Sequence, residues 1–273
     1  MLSALVDAGH DVAVVVTRPD ARRSRRGGRS ASPVKLSAQA RALAVSHEVA
    51  DVVSVGAELG VVVAYGRILR PPVLGALPLV NVHFSLLPRW RGAAPVERAI
   101  LAGDTVTGVC LMDVEAGLDT GPVHARLNTS IDPDETAAEL TDRLAGMGAG
   151  LLTDALARGL GAPQPQTGEA TYAAKVTVDE LELVWERPAV ELSRTVRAGR
   201  AWTTWRGRRL LVVAARPLNE VSGGEPGSVH GDHVVTGSGS LRLLRVQPEG
   251  RAVLDAGDWV RGARPGAGER LGR

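Results

Sequence analysis

The chain has 273 residues, of which 44% are hydrophobic and 23% charged, with a formal net charge of +2; this balance excludes a disordered or fibrous chain. One cysteine, Cys110, excludes an intrachain disulfide and a Cys-rich zinc site, and its apolar neighbours mark it as a small buried hydrophobe. There is no run of 18 or more apolar residues and no signal-peptide pattern, so the expectation is a cytoplasmic protein with no membrane partner; a monomer is the default expectation.

In chain order, residues 2–8 are apolar and stop at Gly9, which reads as a helix end with a glycine cap. Residues 11–17 read as a buried strand. The next stretch concentrates charge: Arg18, Arg22, Arg23, Arg25, Arg26, Arg29 and Lys35 stand against Asp20 alone. Residues 21–32 lack apolar periodicity and read as a loop. A helix is predicted within 34–44, strands at 59–64, 79–83 and 107–113, a helix at 96–102 and a short extended segment at 121–123. Asp134-Glu135-Thr136 opens a long helix with an apolar face through Leu140, Leu144, Met147, Leu151, Leu152 and Leu156, ending at Gly159. Strands alternating with helices predict an α/β domain over 1–160 with an open, mainly parallel sheet, whose function lies beyond the carboxyl ends of its strands.

Residues 161–175 have the Gly, Pro and Gln content of a linker. Over 176–265 short strands are predicted at 181–185, 209–214, 233–236 and 241–246, with no long helix among them. This reads as a small all-β domain, a barrel of oligonucleotide-binding (OB) type, with 266–273 as a frayed tail. Residues 191–273 hold fourteen arginines against eight acids. Two separate basic regions point to a large anionic partner such as a nucleic acid.

The chemistry gathers at two loops. In Asn81-Val82-His83, strand alternation puts Asn81 and His83 on one face. The Pro-bounded loop from Phe84 to Pro95 follows, and Glu115-Ala116-Gly117-Leu118-Asp119-Thr120-Gly121-Pro122 succeeds the strand at 107–113. An Asp beside a His favours the imidazolium and orients the ring. With Asn81 as a donor to a carbonyl oxygen, Asn81, His83 and Asp119 make a carbonyl-transfer site needing neither a metal nor a protein nucleophile. On spacing alone, Asn81 and His83 tying down the next loop is an open alternative. A metal reading would draw on His83, His124 and Asp119, but nothing has the H-E-x-x-H form. A nicotinamide reading lacks a G-x-G-x-x-G after a strand.

The run from Asn81 to Pro88, continued by Arg89-Trp90-Arg91-Gly92-Ala93-Ala94-Pro95, resembles the signature of the methionyl-tRNA formyltransferase family, a folate-dependent formyltransferase group. Four further segments agree in order: Val16-Thr17-Arg18-Pro19-Asp20, Val62 to Leu69, Gly117 to Val123, and Ala170-Thr171-Tyr172-Ala173-Ala174-Lys175. The resemblance implies a Rossmann-like formyltransferase domain followed by an OB-like barrel, with 10-formyltetrahydrofolate as co-substrate, no metal, and initiator methionyl-tRNA as acceptor. It implies that Asn81 holds the formyl oxygen, His83 polarises the carbonyl, and Asp119 pairs with His83 and helps remove the amine proton. It places the folate cleft at Val63, Tyr65, Ser85, Leu86, Leu87, Pro88, Glu115, Ala116, Gly117 and Leu118. Arg18, Arg22, Arg23, Arg25, Arg26, Arg29 and Lys35 would form the loop that enters the tRNA acceptor end.

The sequence departs from that family at four places. It opens inside the expected first helix, without the first strand and its Gly-Thr-Pro-Glu-Phe loop. The stretch 40–60 is short, Val196 to Trp202 lacks a Pro-containing turn, and Phe84 replaces a small residue. Formylation of another amine, on a nucleotide sugar or a metabolite, and tRNA binding with weak catalysis are the other readings of the same pattern.

Overall fold

The computed structural model describes residues 1–22, 28–219, 223–266 and 268–272, so Arg23, Arg25 and Arg26 of the basic loop fall outside the described residues. In chain order the first half contains α1 (Leu2–Asp7), β1 (Val15–Val16), β2 (Ala21–Arg22), β3 (Arg29–Ser30), α2 (Pro33–Gln39), β4 (Val45–Ser46), β5 (Gly60–Val62), α3 (Pro71–Leu74), β6 (Leu79–His83), β7 (Arg91–Gly92), α4 (Pro95–Ala102), β8 (Val106–Asp113), β9 (Val123–Ser130), α5 (Ala137–Arg158) and β10 (Tyr172–Ala173). The second half contains α6 (Ala189–Ala198), β11 (Trp202–Trp205), β12 (Arg208–Leu218), β13 (Val229–His230), β14 (His233–Val235), β15 (Ser240–Pro248), β16 (Leu254–Asp255) and α7 (Ala256–Ala263).

The chain divides into two compact units. One gathers Met1–Ala93, Thr107–Thr129 and Asp142–Ala173, and the other Ala94–Val106, Ser130–Thr141 and Ala174–Arg273. Two inner segments therefore join the carboxyl-terminal unit. Ion pairs and hydrogen bonds account for this: Arg197 donates to the carbonyls of Asp132 and Glu135, Arg216 pairs with Asp134, and Arg98 with Glu180.

In the first unit β6 carries Asn81 and His83. β5 pairs with it in parallel (Val62 opposite Asn81), and β8 pairs antiparallel (Met112 opposite Asn81, Cys110 opposite His83), with β9 beyond β8. The expected mainly parallel sheet is thus a mixed one. Alternation of strands and helices does not encode strand direction, and the chain between β6 and β8 returns in the opposite sense. β1 and β4 pair in parallel as a separate two-stranded sheet.

α5 begins with a reciprocal cap: the Thr136 hydroxyl accepts from Glu139 N–H, and the Glu139 carboxylate accepts from Thr136 N–H. The helix runs close to the strands at Gly148, where a Cβ would come within 2.8 Å of Val82 Cγ1. Val80, Val82, Val109, Cys110, Leu111 and Met112 are buried, and burial pushes the Cys110 thiol up. No helix among the described residues is long and apolar enough to cross a membrane.

Other expectations shift in detail. The strand over 11–17 shortens to β1, with Val15 N–H and Thr17 N–H donating to the carbonyls of Ala44 and Ser46. The loop over 21–32 carries a two-residue ladder, β2 with β3, whose exposed side chains leave no apolar pattern to read. Residues 161–175 do not run as a plain linker: Gln164 bridges Val123, and β10 pairs with β7.

In the second unit an antiparallel sheet runs β11-β12-β15-β14-β13, with β16 on β15. The expected strand at 181–185 is a 3-10 turn, Asp179–Leu181, with one bridge from Glu182 to Trp202. α6 and α7 were not expected. The signal for α6 was present in Ala189, Leu192 and Val196 at helical spacing, and its Leu192 and Val196 join the core of Trp185, Leu210, Val212, Leu241 and Leu243.

The Arg98–Glu180 pair gives a pH signature. Hydrogen bonds from Arg98, then from the Thr177 backbone N–H, hold the Glu180 carboxyl down to about 2 from its ordinary 4.5. Because the folded value lies below the unfolded one, the stabilisation is present above pH 4.5 and is lost as pH falls to about 2. Denaturant unfolding at a series of acid pH values should show a flatter stability-against-pH curve for Glu180→Gln in that window; identical curves would contradict this.

Candidate active site

Asn81 and His83 stand two residues apart near the end of β6, on one face as strand geometry requires. Asn81 is half-buried between its ladder partners Val62 and Met112, and its side-chain amide makes no hydrogen bond to a described residue. A half-buried amide with free donors and acceptors is suited to a ligand.

His83 is buried, at 6% exposure, with an oxygen on each side. Its Nε2 lies 2.8 Å from the Trp90 carbonyl oxygen, which only accepts, so Nε2 carries the hydrogen. Nδ1 then faces Asp119 Oδ2 at 3.6 Å, an ion-pair distance longer than a hydrogen bond. The same Oδ2 accepts from Gly92 N–H at 2.8 Å. Of the three residues expected from sequence, His83 and Asp119 are thus brought together across the end of the sheet, and Asn81 stands two residues before His83 on β6.

The backbone is forced into unusual conformations to achieve this. Trp90 and Asp119 are non-glycine residues with φ of +62° and +51°. Such positions cost of order 1–3 kcal/mol and persist only where neighbours enforce them. For Trp90 the enforcement comes from Thr171, whose Oγ1 accepts from Trp90 N–H and whose carbonyl accepts from Arg91 N–H. For Asp119 it comes from Gln166, whose Nε2 donates to the carbonyls of Asp119 and Gly121 while its Oε1 accepts from Arg91 Nε and Nη2. Neither Gln166 nor the hydrogen-bonding part of Thr171 was singled out from sequence, because each lies in a polar segment that reads as a linker.

The remaining expected residues divide into two sets. Val63 and Tyr65 follow β5 and are half-buried, while Glu115, Ala116, Gly117 and Leu118 are exposed. Among the described residues those four make no backbone hydrogen bond, and Leu118 shows 57% of its surface. They present free polar backbone and an apolar side chain beside Asp119. Ser85 and Leu87 sit inside the protein: Ser85 donates to the Arg89 carbonyl, and Leu87 packs with Cys110, Met112 and Val123. They shape the wall from within; Leu86 and Pro88 are half-buried on the same loop. His124 does not converge on His83; it pairs with Asp113 at 2.7 Å. Among the described residues no group of three His, Cys, Asp or Glu is placed to hold a metal ion.

In the basic segment Arg18, Arg22 and Arg29 are exposed, with Arg18 donating to the Tyr65 carbonyl. Lys35 is engaged otherwise: its ammonium lies 2.8 Å from Asp20 and contacts His47, with only 16% of the side chain exposed.

Gly92 fixes the approach of the two loops. Its φ is +116°, and a Cβ there would come within 2.9 Å of the Ala173 carbonyl oxygen. Gly92→Ala is expected to destabilise the protein by about 1–3 kcal/mol in denaturant unfolding. It should also raise the hydrogen-exchange rate of the residue-92 amide that now bonds Asp119. An unchanged exchange rate would show that this bond does not depend on glycine.

Comparison with known proteins adds to the geometry. Residues 1–156 match the family described as formyl transferase, and residues 175–264 match its carboxyl-terminal domain. A protein named methionyl-tRNA formyltransferase from Roseobacter denitrificans is 45% identical over 96% of this chain and 92% of its own length. Among solved structures, an N-formyltransferase from Helicobacter canadensis, in complex with folinic acid and dTDP-3-aminofucose, superposes with a TM-score of 0.68 over 89% of this chain and 93% of its own, at 15% identity. A methionyl-tRNA formyltransferase from Clostridium thermocellum superposes with a TM-score of 0.56 over 64% of this chain and 81% of its own, at 20% identity.

Proposed function

Because the chain belongs to the formyl transferase family, we propose that it transfers a formyl group from 10-formyltetrahydrofolate to the α-amine of methionine charged on initiator tRNA. Sequence favours this acceptor over a sugar amine: relatives named methionyl-tRNA formyltransferase are 40–45% identical over nearly the whole chain. At 15% identity the N-formyltransferase in complex with dTDP-3-aminofucose supports a common fold alone.

The observation that carries the chemistry is the free amide of Asn81 beside the buried His83–Asp119 couple. The folate donor supplies an activated formyl carbonyl. Asn81 Nδ2–H donates to the formyl oxygen, where negative charge grows as the amine adds. Since Trp90 holds His83 Nε2–H and Nδ1 faces Asp119, the ring is fixed in tautomer and orientation and serves by placing the Asp119 carboxylate. Asp119, its Oδ2 steadied by Gly92 N–H, accepts the proton released by the adding amine and returns it to N10 of the folate as the bond from that nitrogen to the formyl carbon breaks, leaving tetrahydrofolate and the formylated amine. The free backbone of residues 115–118, with Leu118, Val63 and Tyr65, suits a flat ligand that has both a polar edge and an apolar face.

For the tRNA, the exposed Arg18, Arg22 and Arg29 neutralise phosphate, and Arg23, Arg25 and Arg26 belong to the same basic stretch. Lys35 acts at the base of that loop through Asp20.

Two outcomes follow. In steady-state assays Asn81→Ala should lower kcat by about 10²–10³-fold, as for the loss of an oxyanion donor, with a near-constant KM for the folate donor. Equal losses in kcat and folate affinity would reject that role. Affinity for charged tRNA should fall steeply between about 50 and 200 mM salt. A shallower salt dependence is expected when Arg18, Arg22 and Arg29 are replaced by Gln; salt-insensitive binding would remove the electrostatic role of the loop.

A further inference from the structure

We propose that Gln166 is a positioning residue of the transfer reaction: its amide braces the loop bearing Asp119 against the loop bearing Trp90, Arg91 and Gly92, and so keeps Asp119 directed at His83. The effect on rate rests on the formyl-transfer reading; the brace itself rests on geometry alone.

Every hydrogen-bonding capacity of this side chain is in use. Nε2 donates to the Asp119 carbonyl at 2.9 Å and to the Gly121 carbonyl at 2.8 Å. Oε1 accepts from Arg91 Nε at 3.0 Å and from Nη2 at 2.7 Å. A guanidinium only donates and a carbonyl only accepts, so the orientation of the amide is fixed by its partners. Nothing is left to bind a ligand, and the residue is half-buried. It therefore acts through its neighbours.

Those neighbours are the ones whose placement is hardest to maintain. Gln166 bonds the carbonyl of Asp119 itself, the residue held at φ +51°. Arg91 lies between Trp90, at φ +62°, and Gly92, whose N–H bonds Asp119 Oδ2. The brace and the Gly92–Asp119 bond together close a ring through both loops: Gln166, Asp119, Gly92, Arg91. Without the brace, Asp119 Oδ2 has only the Gly92 N–H to keep it 3.6 Å from His83 Nδ1. Misplacement by about 1 Å at a reacting centre costs about 10²-fold in rate.

The test uses the full chain with Gln166→Glu, Gln166→Met and Asp119→Asn, alone and combined. Glutamate still accepts from Arg91 but has no N–H for the two carbonyls; methionine fills similar space with no hydrogen bonds. Both Gln166 variants should lower kcat for formyl transfer by about 10- to 100-fold with KM values within about twofold. On an Asp119→Asn background the same changes should cost less than about twofold, because the residue they position is already disabled. The His83 ring 15N signals of the folded protein should move in both Gln166 variants in the direction that Asp119→Asn moves them.

Full additivity of the two substitutions, or an unchanged kcat with unchanged His83 signals, would overturn the proposal. So would a fall in thermal stability with kcat retained, which marks a purely structural bond. If the unaltered protein transfers no formyl group, the family reading fails separately, and the His83 signals still decide whether Gln166 positions Asp119.

Discussion

A buried imidazole flanked by two oxygens is the constraint on which the first unit depends. His83 is 6% exposed, has the Trp90 carbonyl at one nitrogen and the Asp119 carboxylate at the other, and lies on a strand buried in the sheet. An unpartnered polar group in such a place is costly. The fold must therefore deliver Trp90 from the loop after β6 and Asp119 from the loop after β8, each in a strained conformation. Thr171 and Gln166 hold the two loops, which explains why the chain returns across this unit, pairing β10 with β7, before it enters the second one. Strain of this kind is compensated by the bonds around it.

Asn81 is the counterpart to this order. Its neighbours in the ladder are Val62 and Met112, neither of which offers a side-chain partner, so its amide stays available. One side of the centre is thus held by bonds from both loops, and the other keeps an unspent donor. That division is what the proposed transfer requires: preorganised groups on one side and a donor left for charge that develops on a bound carbonyl.

Sequence made the strands β6 and β8, the helix α5 and the trio of Asn81, His83 and Asp119 legible, because each rests on local pattern: an apolar run, a helical period, or a polar pair at spacing two. What it hid was non-local. The direction of β8 depends on how a connection folds back, which no residue pattern records. Gln166 sits 47 residues from Asp119 and 75 from Arg91 in a segment rich in Gly, Pro and Gln, so its composition suggested a tether. Lys35 reads in sequence as one more positive charge, whereas in the structure Asp20 and His47 stand beside it. α6 was a different kind of miss: its period was present, but expectation of an all-β domain outweighed it.

In the proposed reaction this centre moves a formyl group from a reduced folate to the amine of a charged initiator tRNA. The direct measurement is to incubate the protein with 10-formyltetrahydrofolate and methionyl initiator tRNA, then release the amino acid and weigh it by mass spectrometry. N-formylmethionine, formed at a rate that collapses in Asn81→Ala, is the predicted result. Methionine left unmodified while the donor is bound, or formyl transfer to an amino sugar nucleotide in preference to the tRNA, would contradict it.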